Sequence, residues 1–123
     1  MGKEMTYRYA QRGCRLVIGA RRLDKLNEIK QECFKRYGNS DIKCIQLDVS
    51  VEEQAQRFIE EAAEFLGGRI DIMALCAGIS AHSLFEDFQD MVPFKKVVDT
   101  NLMGCAYPTK FALKYMKKDL SKP

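Results

Sequence analysis

The sequence predicts an α/β fold, a parallel sheet with helices on its faces, and three observations carry that expectation. Three short apolar runs, residues 14–20 (CRLVIGA), 43–49 (KCIQLDV) and 70–76 (IDIMALC), are rich in β-branched and aliphatic residues, as buried strands are. Stretches with apolar residues at helical spacing flank them. Glycines punctuate the alternation at Gly13, Gly38 and Gly67–Gly68. Helix and strand in regular alternation are the grammar of a parallel sheet covered by helices. At 123 residues, with no repeat, low-complexity tract or linker, the chain reads as one unit.

Residues 3–12 (KEMTYRYAQR) suit a short helix that ends at Gly13. The first strand follows. Residues 23–37 carry Leu23, Leu26, Ile29, Cys33 and Phe34 on one helical face, and Gly38-Asn39 stop that helix. After the second strand, Ser50 offers a helix cap and Glu53 completes a capping box. The helix it opens, about 51–66, aligns Ala55, Phe58, Ile59, Ala62, Ala63 and Leu66. Beyond the third strand, residues 77–92 are irregular. Pro93 opens a last long helix from Phe94 to Lys118, which frays at Ser121, Lys122 and Pro123.

A hydrophobic fraction of 46% and a charged fraction of 30% exclude a disordered chain. A net charge of +3, spread over pairs such as Arg21-Arg22, Lys95-Lys96 and Lys117-Lys118, excludes nucleic acid as an expected partner. The five cysteines, Cys14, Cys33, Cys44, Cys76 and Cys105, form no CxxC or Cys/His cluster, so no metal site is expected. Three of them lie in or beside the apolar runs and read as free buried thiols of a reducing compartment. The polar N-terminus shows no leader or membrane span; cellular location, and any membrane anchor of a parent protein, are left open.

In such sheets ligands gather at the carboxyl ends of the strands, so the residues after each strand are the candidates. Arg21 and Arg22 follow the first strand, with Ala20 where an acid would bind a ribose 2′-hydroxyl. Within a nucleotide-binding frame, two guanidiniums there suit a 2′-phosphate; outside it they are a surface basic pair. Asp48 and Val49 follow the second strand, and only Ser50 is explained by helix capping. Cys76, Ala77 and Gly78 follow the third, where a glycine lets backbone approach a flat ligand or simply makes a turn.

Together these residues resemble a family. DIMALCAG at 71–78 is similar to the short-chain dehydrogenase/reductase strand that ends in NNAG, LDV at 47–49 to its LDV, TNLMG at 100–104 to its TNxxG, and ARRLDKL at 20–26 to its NADP-type ARRxxKL. The four motifs occur in the family's order across nearly the whole chain. The resemblance implies a Rossmann-like doubly wound parallel sheet that binds NADP(H), with NAD less favoured. It implies hydride transfer between an alcohol and a ketone or aldehyde. It implies contacts to the cofactor from Arg21, Arg22, Asp48, Val49, Cys76, Ala77 and Gly78. Asn101 becomes a member of the catalytic tetrad, and the helix from Phe94 to Lys118 resembles the dimerisation helix.

The departures carry their own expectations. Leu75 and Cys76 replace the two Asn of NNAG. Gly2 resembles the last glycine of TGxxxGIG, whose strand and earlier glycines are not in the sequence. No Tyr has Lys four residues on, so the family's YxxxK is absent, as is its Ser. The expectation is therefore a partial fold, truncated at both ends, lacking its first strand and C-terminal half. Turnover should be negligible, and the chain should fold poorly or pair its open sheet edges directly. The alternative is a non-catalytic nucleotide-binding or dimerisation protein of the same descent.

Overall fold

The computed structural model describes residues 1–117. Helix α1 (Gly2–Gln11) buries Tyr7 and Ala10, and Gly13 turns the chain at a φ of 72° that favours glycine. Strand β1 (Leu16–Ala20) follows, then helix α2 (Leu23–Tyr37), which has the expected bounds and buries Leu26 and Cys33, while Leu23 and Phe34 of its expected apolar face are exposed. Gly38 closes α2 in the left-handed region (φ 68°), and its N–H bonds the Phe34 carbonyl at 2.8 Å. Strand β2 (Ile42–Gln46) ends earlier than the apolar run, because Asp48 already starts a turn in which its carbonyl accepts from Val51 N at 3.1 Å.

The two strands pair in parallel from Leu16 opposite Ile42 to Ala20 opposite Gln46. Side chains alternate across such a ladder. Leu16 and Ile18 pack into one core with Tyr7, Ala10, Cys33 and Ile42, so α1 and α2 cover that face. Gly19 points the other way, to helix α3 (Glu52–Phe65): a Cβ there would lie 2.5 Å from Phe58 Cε2 and 3.0 Å from Leu47 Cδ2. A second core joins Ile59 and Ala63 of α3 to Ile70 and Ala112. The result is helices, sheet, helices, the layering of a Rossmann-like fold in part.

Three expectations are corrected. Residues 70–76 form no strand: among the described residues they join no ladder, and the sheet contains β1 and β2 only. Composition marks a segment for burial, but a strand also needs another strand to bond, and the described segments that touch this one, α1 and α5, are helices. Ile70 is buried and its N–H bonds the Tyr115 carbonyl at 3.1 Å, yet Ile72 is 63% exposed and Leu75 43%. The open edges therefore do not pair with each other, and the Cys76 thiol is exposed rather than buried.

The capping box at Ser50 does not form either. Val51 takes the cap position of α3 without a side-chain bond, because the Ser50 hydroxyl donates to Asp48 Oδ1 at 2.6 Å instead. Finally, the long last helix is interrupted. Helix α4 (Val92–Val98), with Pro93 in its first turn, runs into a π-helical turn (Asp99–Met103) and then helix α5 (Gly104–Met116). Lys118 and the frayed end at Ser121, Lys122 and Pro123 lie outside the described residues.

One buried polar side chain ties the first half together. Asn39 is 8% exposed. Its Nδ2 donates to the carbonyls of Ala10 at 3.1 Å and Cys14 at 2.9 Å, while Oδ1 accepts from Asp41 N at 2.9 Å. It thus joins the end of α1, the entry to β1 and the entry to β2. Replacing it by Ala strips partners from buried backbone, and a loss of about 2–3 kcal/mol is expected in urea unfolding. Asn39→Asp keeps the acceptor but loses both donors and faces two carbonyls with a charge, so it should be no better than Ala.

Candidate functional site

The carboxyl ends of parallel strands leave backbone turns and side chains free to meet a ligand. At the end of β1 the Arg21 carbonyl accepts from Gln46 Nε2 at 3.0 Å, which fixes the turn that presents Arg21 and Arg22. Both guanidiniums are exposed, and Arg22 is the extended residue that precedes α2.

Asp48 is held more firmly. Its Oδ1 accepts from the Ser50 hydroxyl at 2.6 Å and from Ser50 N at 3.0 Å, an Asx turn. Its own N–H donates to Gln54 Oε1 at 2.8 Å. The Ser50 hydroxyl first, then the Ser50 N–H, hold the carboxyl below its ordinary value; partial burial opposes this and the nearby Arg21 charge adds to it. Next to it, Val49 touches the start of α5: a Cβ on Gly104 would lie 2.6 Å from Val49 Cγ2. Only a glycine allows that approach.

Asn101 sits in the π-helical turn between α4 and α5. Its Oδ1 accepts from Ile79 N at 2.9 Å and its Nδ2 donates to the Ile79 carbonyl at 2.8 Å. The clamp lies one residue beyond Gly78, where a Cβ would lie 3.6 Å from Asn101 Oδ1. At the other end of this stretch, a Cβ on Gly2 would lie 3.3 Å from Cys76 Cβ, and Cys76 Sγ lies 3.7 Å from Met5 Sδ.

The predicted site residues therefore meet in pairs. Val49 touches Gly104 at the start of α5, Asn101 grips the loop of Gly78, and Cys76 stands beside Gly2, while Arg21 and Asp48 follow the adjacent strands β1 and β2 with no ion pair between them among the described residues. Ala77 lies exposed between Cys76 and Gly78. Sequence reasoning missed Gln54, Met5 and the real partner of Ser50. The Asp48-x-Ser50 spacing of an Asx turn was the available signal for the last. Among the described residues no group of three or more His, Cys, Asp or Glu is placed to hold a metal, and no helix is long and apolar enough to cross a membrane.

The layers and the loops gathered at one end of the ladder define an α/β protein with its candidate site at the carboxyl ends of the strands. The short chain dehydrogenase family model matches residues 1–121, and the chain belongs to that family. It is 34% identical over 122 residues to 11-beta-hydroxysteroid dehydrogenase-like 4A of Arabidopsis thaliana, covering 99% of this chain and 40% of that protein. Against 11-beta-hydroxysteroid dehydrogenase A of Arachis hypogaea the identity is 31%, covering 99% and 34%. Among solved structures, levodione reductase superposes with a TM-score of 0.86 at 26% identity, covering 94% of this chain and 44% of that one. ElxO with NADP bound gives 0.79 at 30% identity, covering 92% and 44%. The chain thus spans less than half the length of each of these relatives.

The Asp48 turn has a pH signature. A carboxyl whose folded pKa is depressed adds stability above its unfolded pKa of about 3.9, and that stability is lost as pH falls through the lower folded value. Removing the hydroxyl by Ser50→Ala should cost about 1 kcal/mol near neutral pH. The two proteins should converge in stability as the solution is acidified below pH about 4. Parallel stability curves down to the acid limit would show that Ser50 does not act through this carboxylate.

Proposed function

We propose that residues 1–123 form a single partial NAD(P)-binding domain that seats NADP(H) for hydride transfer between a small-molecule alcohol and the matching ketone or aldehyde. The observation that carries this reading is the set of contacts around the turns that carry the site residues: Val49 against Gly104, Asn101 bonded to Ile79 next to Gly78, and Cys76 against Gly2. The site residues suit the cofactor. Arg21 and Arg22 are exposed forks for a 2′-phosphate, with Ala20 in place of an acid that would repel it. Asp48, kept ionised, is an acceptor for an adenine amino group, and Val49 packs beside it. Gly2 stands at the amino end of α1, where backbone N–H groups and the helix dipole favour a phosphate. Cys76, Ala77 and Gly78 offer open backbone for the cofactor to lie against.

The bound nicotinamide would supply the hydride; the chain's own part is to orient it. Asn101, the residue that the resemblance places in the catalytic tetrad, acts in this reading as a positioning residue that holds the loop of Gly78 and Ile79 toward the reacting end. No Tyr in the sequence has Lys four residues on, so the chain contains no such pair to move the proton. A positioned acid or base is worth about 100- to 10,000-fold in rate. ElxO and the alcohol dehydrogenase from Thermococcus sibiricus, solved with NADP and 5-hydroxy-NADP, support the choice of NADP over NAD.

Calorimetric titration tests this directly. The chain should bind NADP more tightly than NAD, and Arg21→Ala with Arg22→Ala should weaken NADP about tenfold to a hundredfold while leaving NAD nearly unchanged. Equal losses for both cofactors would sink the phosphate role. Carbonyl reduction by the purified chain with NADPH should stay at background.

A second reading, a homodimer through the helix expected from Phe94 to Lys118, is favoured by exposed apolar side chains there. Phe94 is 44% exposed, Leu102 62% and Leu113 47%. Sedimentation should then show a dimer that Leu102→Asp returns to monomer; a monomeric parent chain would exclude it.

A further inference from the structure

Three arginines gather near the end of α1 remote from Gly2. Arg8, Arg12 and Arg36, at the carboxyl-terminal ends of α1 and α2, line a surface depression of about 430 Å³ together with Glu4, Tyr7, Gln11 and Tyr37. The carboxylates within reach are already engaged. Glu4 Oε1 accepts from Arg8 Nε at 3.0 Å, while Glu32 accepts from the Tyr7 hydroxyl and pairs with Arg36 at 3.7 Å and Lys3 at 3.9 Å. The Tyr7 ring steadies two of the cations, with the Arg36 guanidinium 5.1 Å and the Lys3 ammonium 5.5 Å from its centroid. Arg12 is exposed and makes no ion pair or side-chain hydrogen bond among the described residues.

The balance of charge decides what such a face attracts. Among the residues lining the depression, Arg8, Arg12 and Arg36 stand against Glu4, an excess of two positive charges. The two helix ends beneath them contribute only about half a negative charge each. A planar guanidinium offers paired donors that match phosphate oxygens, and the Gln11 amide adds a neutral donor at the same rim. Arg12 lies ten residues along the chain from Gly2 at the far end of α1, about 15 Å at 1.5 Å per residue. One phosphate group therefore cannot serve both ends.

We propose that the Arg8, Arg12 and Arg36 face is a second anion site, distinct from the nucleotide loops, that binds a phosphate group. The same chemistry is presented by a free diphosphate and by a phospholipid headgroup, and two arms distinguish them. Amide NMR follows the chain with inorganic pyrophosphate, and sedimentation follows it with phosphatidylcholine vesicles with and without phosphatidic acid. Saturable binding is expected in at least one arm, with pyrophosphate shifting amides around residues 8–12 and 36. Pyrophosphate alone identifies a free ligand, acidic vesicles alone a headgroup, and both the phosphate group itself. Arg12→Ala should weaken binding about tenfold, the value of one charge-assisted hydrogen bond. Arg12→Glu should abolish it. Arg12 carries no partner whose loss would unfold the chain, and circular dichroism checks this. Binding in neither arm, binding unchanged in both Arg12 variants, or pyrophosphate shifts confined to the Gly2 and Arg21 loops without acidic-vesicle binding would overturn the proposal.

Discussion

The parallel ladder between Leu16–Ala20 and Ile42–Gln46 places everything else in this chain. A pair of five-residue strands is not stable by itself in water, so both of its faces must be covered. Leu16 and Ile18 draw α1 and α2 to one face. On the other, the missing side chain of Gly19 lets Phe58 approach so closely that α3 lies directly on the ladder. Asn39 satisfies carbonyls at two of the three junctions this creates, and so turns four elements into one rigid half. The direction of the ladder then fixes where the free turns gather, because parallel strands end on the same side.

That shared direction explains why residues far apart in sequence meet. Asp48 and Arg21 follow adjacent strands, and Val49 reaches α5 because Gly104 presents bare backbone to it. Membership of the short chain dehydrogenase family and the Rossmann-like layering are consistent with each other.

Local information was legible and relational information was not. The bounds of helix α2 could be read, because its helical spacing, its acidic first turn and Gly38 all act within the segment, whereas which of its apolar residues meet the core, Leu26 and Cys33 but not Leu23 or Phe34, depends on the neighbours. Residues 70–76 carry strand-like side chains, but no residue in them encodes which neighbour they need. Ser50 was read as a cap because serine commonly caps helices. Asp48, two residues back, wins the hydroxyl since a charged acceptor makes the stronger bond. The π-helical turn escaped because one extra residue in a turn barely shifts the spacing of Val97, Val98 and Leu102. Asn39 looked like a helix stop, and its role depends on carbonyls at Ala10 and Cys14 that only the fold brings near. The end of β1 at Ala20 was legible, whereas β2 ends at Gln46, before the Val49 that its composition suggested, because the Asp48 turn depends on Ser50 and Gln54.

The grip of Asn101 on Ile79 has a geometric meaning of its own. A primary amide carries the same donor and acceptor, side by side, as a peptide group. By meeting both the N–H and the C=O of Ile79, Asn101 supplies one rung of a β-ladder from within a helix. The extended stretch that joins no strand is thus registered by a single side chain at its far end. Sliding it by one residue would present Asn101 with a different peptide group on the opposite side of the chain. The reading frame of the loop against its neighbours is therefore set by one amide and not by a sheet.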